Sequence, residues 1–198
     1  MQTGAQAGGT SGMNIMGTFQ DAIALVRSPK TFMAARADIA PPLQSTLVNY
    51  VAILALIPLV FTIIGDLAFR SGRGIGYAIG GGILAYIFDL ISVIIVAYIL
   101  VMLAPRFGSV ADLNKSAKLV AYVYTPAFLI AILSIVPILS ILTVLGLLYG
   151  IYILYIGLPI VLKTPTDQVL VYVIVTLVVT FVVYVVIGLI EAAVLIAL

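Results

Sequence analysis

Five stretches of this chain, at about 46–65, 80–104, 119–136, 137–162 and 168–198, approach or exceed the roughly 20 apolar residues a helix needs to cross a hydrocarbon core of about 30 Å. No water-soluble fold can bury that much. Only 8% of the 198 residues are charged and 64% are hydrophobic, with a mean hydropathy of +1.34, whereas a soluble domain is about a quarter charged. The apolar surface must therefore meet lipid or other helices, and the backbone must satisfy its own polar groups. The sequence predicts an all-α, polytopic integral membrane protein with five transmembrane helices.

The break between the third and fourth spans rests on Ser134 and Pro137. A single helix over 119–162 would run about 66 Å at 1.5 Å per residue, twice a membrane. A tight hairpin at 134–137 is expected instead, with Pro137 in the first turn of the fourth span, where its missing N–H does no harm. Pro58 and Pro126 fall inside spans, where each removes a backbone hydrogen bond and is expected to kink its helix, with Thr125 a partner for a freed carbonyl.

Residues 1–14, rich in Gly, Gln, Thr and Ser, read as a disordered tail without the basic-then-apolar order of a signal peptide. Residues 15–42 read as an amphipathic segment preceding the 43–198 membrane domain. Ile15, Phe19, Ile23 and Val26 recur at helical spacing, and Ser28 followed by Pro29 has the signature of a second helix start. Two short interfacial helices are expected, ended by Pro41 and Pro42.

Orientation follows from the basic residues. Arg27, Lys30, Arg36, Arg106, Lys115, Lys118 and Lys163 flank one side, and only Arg70 and Arg73 the other. The positive-inside bias puts the N-terminus in the cytoplasm and, with an odd number of spans, the C-terminus outside. Arg27, Lys30, Arg36, Arg106, Lys115 and Lys118 are also candidates for anionic-lipid contact, at roughly 1 kcal/mol each. Ordinary topology determination explains the same charges. Nine basic residues spread over several loops make no nucleic-acid footprint.

Several segments together resemble the Yip domain family of Ypt/Rab-interacting membrane proteins. They are the proline-led SPKTFMAARAD at 28–38, the loop RFGSVADLNKSAKL leading into AYVYTPAFL, and LYGIYILYIGLP at 148–159 followed by KTPTDQ. The resemblance covers nearly the whole chain from about Asp21. It implies five spans with a cytoplasmic N-terminus, a topology that agrees with the one reached from length and charge. It also implies a non-enzymatic, trafficking-like role in organising or shaping membrane and recruiting partners. This chain does not carry the acidic Asp-Leu-Tyr-Gly-Pro motif through which eukaryotic relatives are associated with GTPases. The resemblance therefore points to a prokaryotic member in a plasma membrane, with lipids, a second copy or a protein on the cytoplasmic face as partners.

Cysteine, histidine and tryptophan are absent. That removes thiol nucleophiles, imidazole bases and the commonest zinc ligands, so neither catalysis nor a metal or cofactor is expected. Asp89 is the one acid well inside a span, where a charge costs at least about 2.5 kcal/mol on insertion scales. It is either an ion or proton site, as in a small transporter or channel using the kinked helices, or a carboxyl hydrogen-bonded to Tyr124, Tyr152 or Tyr155 of a neighbouring helix. Two glycine sets, including Gly76 with Gly80 and Gly146 with Gly150, have the four-residue spacing that lets helices approach closely, within or between subunits.

Overall fold

The computed structural model describes residues 14–69 and 74–197. Apart from Asn14, the expected tail lies outside the described residues, as do Arg70 and Arg73. In chain order the helices are α1 (Ile15–Arg27), α2 (Pro29–Ala35), α3 (Leu43–Thr46), α4 (Ala52–Phe69), α5 (Gly74–Leu103), α6 (Leu113–Ile130), α7 (Thr143–Val161) and α8 (Val169–Ala197). Among the described residues, five helical segments are long and apolar enough to cross a membrane: Leu43–Phe69, Gly74–Phe107, Leu113–Ile135, Thr143–Val161 and Val169–Ile190. α8 shows why the environment decides: its Val- and Ile-rich sequence would suit a strand in water, but in lipid only a helix satisfies every N–H and C=O within one segment.

The first span is continuous from α3 into α4 through a π-helical turn, Leu47–Val51, and Pro58 sits within α4. The second helix begins at Gly74, earlier than residue 80, which draws Gly76 into it. The fourth helix begins at Thr143, six residues after the expected start at Pro137. Two 3-10 segments, Ala131–Ile135 and Pro137–Leu142, fill the hairpin. Val136 between them is extended (φ −98°, ψ 114°), as the residue before a proline tends to be. Gly65 lets α4 approach this turn: a Cβ there would come within 2.9 Å of the Ser134 carbonyl oxygen.

α6 and α7 form the closest pair in the bundle. A Cβ on Gly146 would meet the Ala127 Cα at 2.9 Å, and one on Gly150 the Val123 carbonyl oxygen at 2.5 Å. Both glycines thus bring two backbones together, the small-residue packing of membrane helices. Gly76 does not act this way within the chain, because nothing lies within 4 Å of a Cβ built there. The glycine that lets α5 pack on α4 is Gly82, where a Cβ would collide with Ile63 at 2.5 Å. Four-residue spacing alone could not separate the two, since which face of α5 meets α4 depends on the whole bundle.

The chain crosses back so that α1, α2 and the loops after α5 and α7 gather at one end. Val110 N–H donates to the Leu162 carbonyl at 2.8 Å, and the Ser109 and Thr164 hydroxyls pair at 2.8 Å. Leu43 N–H donates to Asn114 Oδ1 at 2.9 Å, joining the start of the first span to the start of α6. Asp112 caps α6 by accepting from the Asn114 and Lys115 amides, a favoured N-cap arrangement.

Candidate functional site

The cap formed by α1 and α2 is docked on the bundle. Thr18, Ala22 and Leu25 of α1, and Pro29, Phe32 and Met33 of α2, are buried. Leu25 and Met33 belong to the same core cluster as Leu119 and Leu158. The Thr18 hydroxyl donates to the Asn49 carbonyl at 2.9 Å, and Tyr149 O–H donates to the Val26 carbonyl at 2.8 Å. The buried stripe is therefore Thr18, Ala22 and Leu25, one step around the helix from the stripe expected from hydropathy. Ile15, Met16 and Ile23 stay exposed, while Phe19 is partly buried against the core. Threonine and alanine pack closely where a bulky residue would not, a choice that hydropathy alone does not reveal.

The basic candidates separate into two kinds. Lys118 is a correction to the lipid-contact set: it is only 3% exposed, and its Nζ donates to the Arg36 carbonyl at 2.6 Å and to the Ile39 carbonyl. It stitches the end of α2 to α6. Arg36 pairs with Asp21 at 2.8 Å and lies 3.9 Å over the Phe32 ring, so it too is engaged within the cap. Arg27, Lys30 and Arg106 are exposed and Lys115 half-buried, and Lys163 is exposed on the loop after α7. These are the cations that can meet a headgroup.

The second candidate region lies in the middle of the spans. Asp89 stands halfway along the 30-residue α5, within electrostatic reach of Tyr124 on α6 and Tyr184 on α8. Those two hydroxyls share a short hydrogen bond, and Tyr184 also hydrogen-bonds Ser92, one turn beyond Asp89. Of the three tyrosines considered as neighbours of Asp89, Tyr124 is the one brought beside it. Tyr152 and Tyr155 are exposed and Tyr152 leans on Tyr149, ring centroids 5.6 Å apart. Thr125 is buried and donates to the Ala121 carbonyl at 2.8 Å while meeting the Tyr50 hydroxyl at 2.9 Å. It therefore reinforces the carbonyl four residues before it, one turn back, and the one that Pro126 frees, at Tyr122, is a different group.

Asp89, Tyr124 and Tyr184 line a cavity of about 590 Å³ that touches all five spans and is otherwise almost wholly apolar. Pro58 lines it too. Sequence reasoning missed Ser92, Tyr184, Thr176 and Thr180, although a signal exists. Tyr172, Thr176, Thr180 and Tyr184 follow one another every four residues, a single polar stripe down an apolar helix. Tyr172 O–H donates to the Leu100 carbonyl at 2.6 Å, so both ends of the stripe are bonded. The Thr176 and Thr180 hydroxyls between them are buried without a partner among the described residues, a state that costs about 1–3 kcal/mol for each such group. Among the described residues no group of three or more His, Cys, Asp or Glu could hold a metal ion.

A five-span helical bundle with a docked amphipathic cap and a mid-bundle polar cluster defines a multi-pass integral membrane protein. Residues 23–187 match the Yip1 domain, and the chain belongs to that family. No curated protein and no solved structure was found to match it.

Proposed function

We propose that this Yip-family protein is a non-enzymatic scaffold that organises or shapes membrane and recruits partners. The N-terminus lies in the cytoplasm, the C-terminus outside, and a prokaryotic plasma membrane is the setting. The observation that carries the reading is the free face of the cap. Ile15, Met16 and Ile23 are exposed on a helix whose neighbouring face is fixed to the bundle, and the exposed Arg27 and Lys30 flank the turn that follows. An amphipathic face rigidly attached to an anchored bundle transmits its insertion into one leaflet to the whole protein. The gathering of seven basic residues on the cap, the adjoining loops and the first turns of α6 supports the orientation. The exposed cations and half-buried Lys115 offer a surface for anionic lipid and for a protein partner or a second copy.

Transport is not the reading adopted. Asp89 is the only Asp, Glu, Lys or Arg in the middle of a span, so a relay between carboxylates or fixed charges lacks a second station.

Reconstitution tests the proposal, with tubulation and tethering of vesicles followed by electron microscopy. Deleting the cap would strip Leu25 and Met33 from the core, so the informative variant changes only the exposed face: Ile15→Ser, Met16→Ser and Ile23→Ser together. Wild-type protein is expected to remodel anionic vesicles and the triple variant to lose that effect while folding normally. Arg27→Gln with Lys30→Gln should weaken the preference for anionic over neutral lipid by about 2 kcal/mol. Vesicles left unchanged by the wild-type protein would overturn the scaffold reading.

A further inference from the structure

We propose that the mid-bundle cavity is a binding site for a membrane-soluble alcohol, an amphiphile with one apolar chain or ring system and a small hydroxyl head. Three observations converge on it. The cavity, about 590 Å³, lies within the range of small-molecule sites and is apolar except for a few side chains. Those few include the Asp89 carboxyl group and the two unpartnered hydroxyls of Thr176 and Thr180. Thr176 is only 1% exposed, so neither bulk water nor a lipid headgroup satisfies it.

The stripe on α8 makes the vacancy specific. Tyr172 and Tyr184, at its ends, are bonded inside the protein, and the two threonines between them line the cavity with hydroxyls that have no partner among the described residues. A hydroxyl group suits this lining because it both donates and accepts: it can give its proton to Asp89 and receive one from a threonine. A carboxylate has no proton to give Asp89, and burial in an apolar cavity disfavours its charge.

Depth selects further. Asp89 is at the centre of α5, about half a hydrocarbon thickness from either surface. A zwitterionic phospholipid headgroup does not go there, whereas a single hydroxyl can be carried in by an apolar body. Leu147 and Phe181 line the cavity and are themselves exposed on the outer surface of α7 and α8. A ligand can therefore enter sideways from the lipid between these two helices.

Photolabelling of the purified full-length protein in nanodiscs tests the site, using a hexadecanol probe with a diazirine in its chain. Peptides from α6 and α8 are expected to carry the label, with unlabelled hexadecanol competing at least about tenfold better than hexadecanoate or hexadecane, the discrimination that hydrogen bonding to a buried polar group supplies. Thr176→Val with Thr180→Val keeps shape and removes both hydroxyls, and should lower labelling about tenfold. Leu147→Trp, at the exposed mouth, should block it without touching the polar cluster. Equal competition by hexadecane would show that lipid chains merely fill the space and would overturn the proposal. So would labelling unchanged in both variants. Neither result bears on membrane remodelling by the cap, which depends on the exposed side chains of α1.

Discussion

The α6–α7 pair and α8 all have the length and apolarity of membrane spans, α8 being the most apolar, but they are held in very different ways. Half of the most apolar window of Leu113–Ile135 and 44% of that of Thr143–Val161 are buried within the protein, against 17% for Val169–Ile190. α6 and α7 meet backbone to backbone through Gly146 and Gly150, with the cap closing over them through Met33 and Lys118. α8 touches the bundle along one stripe and shows the rest of its surface to lipid. Where water supplies no hydrophobic drive between helices, close packing and hydrogen bonds decide which helices are fixed. The pair is a keel, and α8 is a wall that leaves a cavity behind it.

Alanine at two glycines gives the sharpest test of that contrast. Gly150→Ala places a methyl group 2.5 Å from a backbone oxygen that cannot move without parting the two helices. It should destabilise the protein by about 3 kcal/mol, the upper range for overpacking, read as an earlier thermal transition in detergent. A variant as stable as wild type would show that the keel is not tightly held. Lys118→Met comes next. It leaves two carbonyls at the end of the cap without their donor, for an expected loss of about 2 kcal/mol. Protease cleavage near residues 36–42 should become faster, and Lys115→Met should change little. Smallest is Gly188→Ala on α8, where nothing lies within 4 Å of the new methyl group. Replacing a helical glycine there should stabilise by about 0.5 kcal/mol. Destabilisation at Gly188 would mean that this face of α8 packs against something, such as a second copy of the chain.

The same contrast explains how far the candidate sites could be read from the residues. Asp89 announces itself, because an acid amid 20 apolar neighbours needs a reason. Its partners are harder. Tyr124, Tyr152 and Tyr155 were equal candidates by sequence, and only the packing of α6 on α5 selects Tyr124. Tyr184 lies on α8, some ninety residues from Asp89, and periodicity marks it as one of a stripe without saying which helix the stripe faces. Lys118 taught the opposite lesson. In composition it is one more basic residue in a flank, but its position one turn into α6 puts its ammonium group under the carbonyls that end the cap.

What the sequence determined by itself is the solvent and its consequences. Runs of apolar residues near 20 long require a bilayer, and a bilayer requires helices, so five spans and the breaks between them follow from length and composition. Proline and glycine marked where the chain turns, although α5 and α7 each begin six residues from the expected position. The tertiary structure alone decided which face of each helix is inside, because in lipid both faces are apolar and hydropathy no longer distinguishes them. That is why the docked stripe of α1, the working glycine Gly82 in place of Gly76, and the polar lining of the cavity became visible only once the helices were packed.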